Sequence, residues 1–382
     1  MKTTLDGLGR TIKLEAGDSN GTQSVVETQY DSCACSPLGK VKQVSRPYKP
    51  GDPVYWTVYG YDALGRTTTI TLPDGSVASY SYFGNTTTVT DPAGKWKTYT
   101  TDAMGNLTQV TEPAPEGGTH LTSYAYNIYN QLTTVTMPRS TGTQTRTFNY
   151  DLTTARLMSV TNPESGTTSF EYNDDGSLFR KTDAKGQKVK FTYDSLGRVT
   201  VKQTYKSDGT EDLCGKTTNY WDARPSRVGG TGWENVSGRL MAVRWSASSC
   251  PGGQFTEGYQ YDTGLPTIKR LYTPTLGSNS YIDASFTYTD QGQLQSLPYP
   301  VWHGSGGLHW PQTGRTFTYN LDTLSRPISL TDEAQTALVS GVSYGGPSGQ
   351  LSALSYSGYN ETRLYNVRGQ LTRLTATGDG LP

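Results

Sequence analysis

The sequence predicts an all-β fold, an array of β-hairpins that forms a long antiparallel sheet with almost no helix. Three observations support this: a recurring turn motif, a second kind of turn between its copies, and alternating polar and apolar residues between the turns. The composition agrees, because 43 Gly, 20 Pro and 27 Tyr accompany only 33% hydrophobic residues. Such a balance is typical of turns and of sheets whose tyrosines bury the ring and keep the hydroxyl hydrated.

The recurring motif is Tyr, then Asp, Asn or Thr, two variable residues, Gly and a polar residue. Successive starts at 126, 150, 172 and 193 lie 24, 22 and 21 residues apart, which leaves room for two short strands and two turns. The Asp or Asn side chain can bond its own backbone two residues on, and the Gly supplies a positive φ. The residues predicted to build these hairpin tips are Tyr61, Asp62, Gly65, Arg66, Asp102, Gly105, Tyr126, Tyr172, Gly176, Tyr193, Asp194, Gly197, Arg198, Tyr288, Gly292, Tyr365 and Gly369.

The opposite end of each hairpin carries a different turn, rich in Pro and Gly, as in the Leu-Pro-Asp-Gly that begins at Leu72. Pro and Gly at these offsets end a strand and set the geometry of a turn. Between the two turns the residues alternate, as in residues 188–193, which predicts strands with one apolar face. The one helix candidate, residues 332–339, leads into a strand-like segment, and we favour a strand there.

We expect residues 1–382 to form a single array of repeats. Irregular N-terminal repeats cover 1–60, regular repeats 61–205, an irregular insert with Cys214 and Cys250 covers 206–258, and degenerate repeats cover 259–382. Stacked hairpins bury their faces only against neighbouring hairpins, so arrays normally end in an atypical capping unit. Neither terminus has such a unit, and we therefore expect a piece of a longer polypeptide.

Two segments match catalytic or nucleotide-binding motifs in part, but the residues around them do not support such a site. The segment around Ser343 fits Gly-x-Ser-x-Gly, but no helix pattern follows and the last histidine, His309, precedes the serine. Cys214-Gly215-Lys216-Thr217 lacks the spacing of a phosphate-binding loop. The acidic residues mostly follow the strand aromatic, where they build turns. We therefore expect no catalytic residue, no cofactor and no metal site.

Two further features attract attention. Cys214 and Cys250 bracket the irregular insert, and in an oxidising compartment we expect a disulfide between them that closes a loop of about 35 residues, worth about 3 to 4 kcal/mol in the chain-entropy model. Trp302 and Trp310 flank a Gly-rich segment. These two indoles are candidates for stacking on a sugar or a partner surface, with the alternative that they plug the inner face of the sheet.

The Tyr-Asp-x-x-Gly-Arg motif, clearest at Tyr61 and Tyr193, resembles the YD repeats of bacterial Rhs proteins, insecticidal toxin-complex shells and animal teneurins. The resemblance covers most of the chain and implies hairpins that wrap as a coiled sheet into a hollow shell, often around a C-terminal toxin. It implies a structural, non-enzymatic segment of a secreted or cell-surface protein. The implied partners are adjacent YD repeats of the same, longer polypeptide and an enclosed effector domain. The family's core-closing segment with its self-cleaving aspartates has no recognisable copy here, so neither the enclosed cargo nor autoproteolysis is assigned to any residue of this chain.

The alternative function is a cell-surface adhesion or carbohydrate-binding module, with glycans as partners. The 33 basic and 33 acidic residues are spread evenly along the chain and give a net charge of +0. Such a distribution offers no electrostatic footprint for nucleic acid. No stretch approaches the roughly 18 apolar residues of a membrane span, and the first residues lack the apolar core of a signal peptide. We therefore expect neither nucleic acid nor a membrane span.

Overall fold

The computed structural model describes residues 1–18, 21–33, 36–115, 117–139, 142–225, 228, 237–273, 280–303, 315–345 and 349–378. Within these ranges the chain consists of β-strands and turns, without a helix. Hydrogen bonding groups the strands into one sheet of 24 strands and one of eight. Each described pairing is antiparallel, mostly between strands that follow each other in the chain, as between β5 (Trp56–Tyr61) and β6 (Thr67–Thr71). The all-β antiparallel hairpin array is confirmed.

The chain divides into two compact units. The first comprises Met1–Tyr124, Met137–Thr141 and Tyr319–Pro382. Its remaining strands are β1 (Lys2–Leu5), β2 (Thr11–Asp18), β3 (Gly21–Cys33), β4 (Ser36–Ser45), β7 (Val77–Phe83), β8 (Thr86–Thr90), β9 (Trp96–Thr101), β10 (Leu107–Pro113), β28 (Pro327–Thr331), β29 (Ala337–Gly345), β30 (Gln350–Tyr356), β31 (Tyr359–Tyr365) and β32 (Leu371–Gly378).

The second unit comprises Ala125–Thr136 and Gly142–Thr318. Its strands are β13 (Gly142–Tyr150), β14 (Leu157–Asn162), β15 (Gly166–Tyr172), β16 (Leu178–Thr182), β17 (Lys188–Tyr193), β18 (Val199–Tyr205), β19 (Glu211–Trp221), β20 (Leu240–Trp245), β21 (Phe255–Asp262), β22 (Leu265–Tyr272), β23 (Tyr281–Ser285), β24 (Thr287–Tyr288), β25 (Leu294–Pro298) and β26 (Val301–His303). The division between the units falls within β11 (Thr119–Tyr126), β12 (Leu132–Arg139) and β27 (Thr316–Leu321).

The strands form because β-branched and aromatic residues alternate with small polar ones. In β7 exposure alternates residue by residue, with Tyr80 and Tyr82 on the more buried face. Many other strands, including β6 and β17, are half-buried at every position, on both faces. The expected single apolar face is therefore not general. An interior strand has a neighbour on each side, and cross-strand side chains cover both of its faces in part.

A small apolar core lies in the second unit. Val228, Met241, Ala242 and Tyr272 are 0–7% exposed and pack together, with Tyr220, Tyr261 and Tyr281 around them. Val228 belongs to the irregular insert, which therefore adds apolar cover that the regular hairpins lack. In the first unit, residues 332–336 form a tight turn that leads into β29, so the only helix candidate is a turn and a strand.

Candidate functional site: the tip turns of the hairpins

In consecutive antiparallel hairpins, alternate turns lie at the same end of the sheet. We call the turns that follow the motif aromatic tip turns, and the turns at the other end base turns. The strand-ending tyrosines of the motif lie at the last position of their strands. They are Tyr61 in β5, Tyr126 in β11, Tyr172 in β15, Tyr193 in β17, Tyr288 in β24 and Tyr365 in β31.

The tip turn after β5 is closed by one carboxylate. Oδ1 of Asp62 accepts the backbone N–H of Leu64 at 3.0 Å and that of Arg66 at 2.9 Å. Oδ2 accepts Nε and Nη2 of Arg66, each at 2.7 Å. The backbone adds two hydrogen bonds, from Asp62 N–H to Arg66 O and from Gly65 N–H to Asp62 O, at 3.0 and 2.9 Å. The motif Asp is therefore a turn-closing acceptor.

The same carboxylate geometry recurs, and the closing residue after the turn is matched to it. Asp6 with Arg10, Asp194 with Arg198 and Asp322 with Arg326 reproduce it, and Asp102 binds the amide of Asn106. Where the residue is Asn, its side-chain amide donates to the side-chain oxygen of the closing residue, which is Gln or Ser. These pairs are Asn127 with Gln131, Asn366 with Gln370 and Asn173 with Ser177.

The last turn residue has a left-handed backbone. The motif glycines there have φ values of 77° at Gly65, 85° at Gly105, 92° at Gly176, 76° at Gly197, 79° at Gly292 and 72° at Gly369. Asn130 and Ser325 hold the same position with φ of 58° and 66°. The position therefore requires the backbone conformation, and Gly is the residue that adopts it at least cost.

Successive tips are joined through the tyrosine, a feature that the sequence did not reveal. The Tyr82 hydroxyl donates at 2.8 Å to the carbonyl of Thr67, which follows the closing residue of the preceding tip. That closing residue, Arg66, places its guanidinium 4.3 Å from the centroid of the Tyr82 ring. Hydroxyl bonds of this kind join Tyr61 to Val41, Tyr172 to Leu157, Tyr193 to Leu178, Tyr261 to Leu240, Tyr288 to Pro266, Tyr344 to Pro327 and Tyr365 to Leu351.

The Arg–aromatic contact also recurs between successive tips. Arg10 lies 4.1 Å from the Tyr30 ring centroid, and Arg326 lies 4.3 Å from that of Tyr344. A cation over an aromatic face is attracted by the ring quadrupole. The motif Arg therefore has two roles, since it closes its own turn and contacts the aromatic of the next one. The recurrence of an Arg after the tip Gly and of a Tyr at the end of the next tip strand was the sequence signal that could have indicated this, although their separation in sequence varies, at 16 residues for Arg66 and Tyr82 and 20 for Arg10 and Tyr30.

One tip is split by the irregular insert. Trp221 replaces the Tyr, and its Nε1 donates to the carbonyl of Val199 at 2.9 Å. Asp222 N–H donates to the carbonyl of Arg239 at 3.1 Å, and Asp222 Oδ1 accepts the N–H of Gly238. Residues 222 and 238–239 thus rebuild the tip, although residues 223–237 separate them in sequence. This insertion hid the copy from sequence reasoning.

The electrostatics follow from these contacts. The backbone N–H of Arg198 lowers the pKa of Asp194, and the guanidinium of the same residue acts in the same direction. The side-chain amide of Asn106, with its backbone N–H, lowers the pKa of Asp102. Burial raises the pKa of the Tyr193 hydroxyl. The acids are therefore held ionised as acceptors and the tyrosines are held protonated as donors.

The remaining candidate residues lie in the second unit. Cys214 and Cys250 form a disulfide with a Cα–Cα distance of 5.6 Å, which ties β19 to the turn after β20. Trp302 in β26 is only 8% exposed, and among the described residues its Nε1 has no hydrogen-bond partner. A ring buried to this extent cannot stack on a sugar, which corrects that expectation for Trp302. Trp310 lies outside the described residues.

Reactive chemistry is not assembled around the motif matches. Ser343 lies within β29, and its Oγ is 3.0 Å from Oγ of Ser352 rather than at a strand-to-helix turn. Lys216 lies within β19. In the described ranges, no three His, Cys, Asp or Glu side chains are grouped as metal ligands.

Those ranges also contain no helix with the length and apolar character that a membrane span requires.

Comparison with known proteins identifies the repeat and the fold. The family model named RHS Repeat matches residues 61–95 and 172–211. Among solved structures, the Tc holotoxin pore of Photorhabdus luminescens is similar, with 14% identity and a TM-score of 0.74 over 99% of this chain and 20% of that chain.

Two crystal structures of TcdB2-TccC3 are similar as well, both with 15% identity and a TM-score of 0.74. The first match covers 99% of this chain and 21% of that one. The second, which lacks the hypervariable C-terminal region, covers 98% and 20%. The chain thus spans about a fifth of the solved chains it matches, and the likeness is one of fold. No curated protein matches the sequence.

Proposed function

We propose that this chain, two segments of which match the RHS Repeat model, is a YD-repeat protein of the Rhs type and a structural segment of the wall of a bacterial shell. The observation that carries the proposal is the series of linked tip turns. Many of these turns are closed by their own Asp or Asn, as at Asp62 and Asn366, and at least eight tyrosines of the described residues donate a hydroxyl to a carbonyl beside the preceding tip. The likeness in fold to Tc toxin structures along 99% of the chain supports the same role.

The contacts between neighbouring hairpins are of the kind that stabilises an extended wall of repeats. In an array whose units contact only their neighbours, stability is a sum of unit and nearest-neighbour terms. The Tyr–carbonyl bonds and Arg–aromatic contacts supply such neighbour terms at the tip edge, as between Arg156 and Tyr172. They hold consecutive hairpins in register without a thick apolar core. We further propose that residues 1–382 form one array of this kind.

A non-enzymatic role is part of the proposal. The acids that might have formed a catalytic pair instead accept backbone N–H groups in their turns, as Asp62 and Asp194 do. A carboxylate bound by these donors has a lowered pKa and is poorly suited to act as a general acid. An active-site fluorophosphonate probe tests the hydrolase alternative, because labelling at Ser343 would contradict a purely structural role.

We propose that the complete protein is secreted or displayed at the cell surface and encloses or displays an effector domain encoded elsewhere in the polypeptide. The disulfide between Cys214 and Cys250 supports the location, since such bridges persist in oxidising compartments. A carbohydrate-binding role gains no support from Trp302, because its ring is buried.

The test is made on the longer polypeptide that contains this chain. Electron microscopy should reveal a closed particle, and limited proteolysis should leave an enclosed domain intact until the wall is denatured. An open sheet, or a domain cleaved as fast as an unprotected control, would contradict the shell. Glycan-array binding by this chain would point instead to the adhesion alternative.

A further inference from the structure

We call the hydrogen bond from a tip aromatic to the carbonyl beside the preceding tip a link, and most links carry a cation over the aromatic ring. The cation belongs to the residue just before that carbonyl, as Arg66 precedes Thr67 at the Tyr82 link. Its distance from the ring centroid ranges from 4.1 Å at Arg10 to 5.8 Å at Arg156. The pairs are Arg10 with Tyr30, Lys40 with Tyr61, Arg66 with Tyr82, Arg156 with Tyr172, Arg198 with Trp221, Arg239 with Tyr261 and Arg326 with Tyr344.

The link at Tyr288 has the hydroxyl bond without the cation. The Tyr288 hydroxyl donates at 2.8 Å to the carbonyl of Pro266, and the residue before Pro266 is Leu265. In the part of the chain that the structure describes, no lysine or arginine lies over the Tyr288 ring. A face that binds a cation at the other links is therefore left open to a cation from outside the chain.

Leu265 holds the place of the arginine at this link. A Cβ added at Gly292, in the turn after Tyr288, would lie 3.5 Å from Cδ1 of Leu265. At the corresponding glycine of another link, Gly176, an added Cβ would lie 3.1 Å from the guanidinium of Arg156. Leucine is shorter than arginine and uncharged, so it fills the position of the alkyl stem and leaves that of the guanidinium empty.

A cavity of about 720 Å³ opens beside this link, a volume within the usual range of ligand pockets, about 300–1,000 Å³. The turn between β21 and β22, the rings of Phe286 and Tyr288, and the turn after β24 line it. Asp262 and Asp290 are exposed and add two carboxylates to the lining. Of the described residues that line the cavity, none is lysine or arginine. The cavity thus combines an aromatic face with negative charge.

We propose that this cavity binds a small alkylguanidinium compound, whose cation takes the position over the Tyr288 ring that arginine holds at other links. A guanidinium is planar and weakly hydrated, so it stacks on aromatic faces and pairs with carboxylates. Leu265 and Phe286 line the same cavity and contact the alkyl stem. A compound with its own carboxylate is disfavoured, because Asp262 and Asp290 repel it. The site does not depend on whether the longer polypeptide forms a shell.

Titration of the purified chain with butylguanidinium, followed by ligand-observed NMR, tests the proposal. We expect saturable binding in the millimolar range, because a cation over a partly exposed ring and ion pairs with exposed carboxylates are each worth little. Butylurea has nearly the same shape without the charge and should bind at least about fivefold more weakly. L-arginine should also bind more weakly than butylguanidinium, because its carboxylate meets those of the cavity.

Leu265→Arg supplies the guanidinium from within the chain. The new side chain should lie over the Tyr288 ring and abolish the binding of butylguanidinium. Ser177→Arg is the matched control, since Ser177 holds the equivalent position at the Tyr193 link, just before the carbonyl that Tyr193 binds. This variant adds the same charge at a distant link and should bind butylguanidinium like the unsubstituted chain.

The double variant Asp262→Asn/Asp290→Asn changes two exposed side chains and should bind roughly fivefold more weakly. Circular dichroism verifies that each variant is folded, and if Leu265→Arg does not fold, the double variant decides. Absence of saturable binding, equal binding of butylurea, or undiminished binding by folded Leu265→Arg overturns the inference. A capped arginine tripeptide that binds far more tightly than butylguanidinium would assign the cavity to a partner chain and overturn it as well.

Discussion

Replacing Gly197 by Ala tests how the tip turns are built. Gly197 has a φ of 76°, and no atom lies within 4 Å of an added Cβ. The cost is therefore confined to the backbone. An L-residue in the left-handed region costs about 1–2 kcal/mol, and the reduced freedom of the unfolded chain returns about 0.4–1 kcal/mol. We expect a net loss of about 1 kcal/mol in the opening free energy of this turn.

Hydrogen exchange measured on peptides that span the turn reads this opening directly. The backbone N–H groups of Leu196 and Arg198 both donate to Asp194. A loss of about 1 kcal/mol makes their exchange roughly fivefold faster. Peptides from the base turn at residues 183–187 of the same variant serve as an internal reference and should exchange unchanged.

Two matched variants make the test specific. Gly197→Asn should lose less than Ala, because Asn130 occupies the equivalent position with φ of 58° and Asn tolerates this region better. Gly369→Ala should lose more, since its Cβ would displace the Arg46 guanidinium that binds the carbonyl of Val367. An Ala variant at 197 that exchanges like the unsubstituted chain, or an Asn variant as damaged as Ala, would refute the reasoning.

Three further outcomes follow from the contacts. Tyr193→Phe removes a hydroxyl donor to a backbone carbonyl and should cost about 1 kcal/mol in urea unfolding, whereas Tyr129→Phe, at a side chain 55% exposed, should change nothing measurable. The lowered pKa of Asp194 means that its stabilising effect is complete above the unfolded value of about 3.9 and is lost as pH falls through the lower folded value. Asp194→Asn should therefore be less stable at pH 7 but lose less on acidification, and equal acid sensitivity in thermal melts would contradict the turn-closing role. Reduction of the disulfide between Cys214 and Cys250 should destabilise the second unit by about 3 to 4 kcal/mol, measured by denaturation with and without reductant.

The sequence was sufficient for features that are decided locally. Asp62 and Gly65 lie within one turn, and their roles follow from side-chain reach and backbone preference over a few residues. Period-two alternation located strands such as β7 for the same reason, because successive side chains point to opposite faces. The hairpin array was therefore predictable without knowledge of any long-range contact.

Other features depended on which segments meet in space. The split tip joins Asp222 to Arg239 across an insertion, and the link from Tyr82 to Thr67 crosses between hairpins. Trp302 appeared in sequence to belong to a Gly-rich loop, yet pairing of β26 with β23 buries its ring. Neighbours of this kind are distant in the chain, so no local pattern encodes them.

The sequence by itself thus determined the repeating unit of this protein, its turn chemistry and its family resemblance, because a regular tip turn, such as that of Asp62 to Arg66, satisfies its own hydrogen bonds within five residues. Only the tertiary structure decided how neighbouring hairpins are joined at their tip ends. The tyrosine bonds and the arginine contacts arise from the alignment of successive hairpins, and that alignment is set by strand pairing rather than by any single motif.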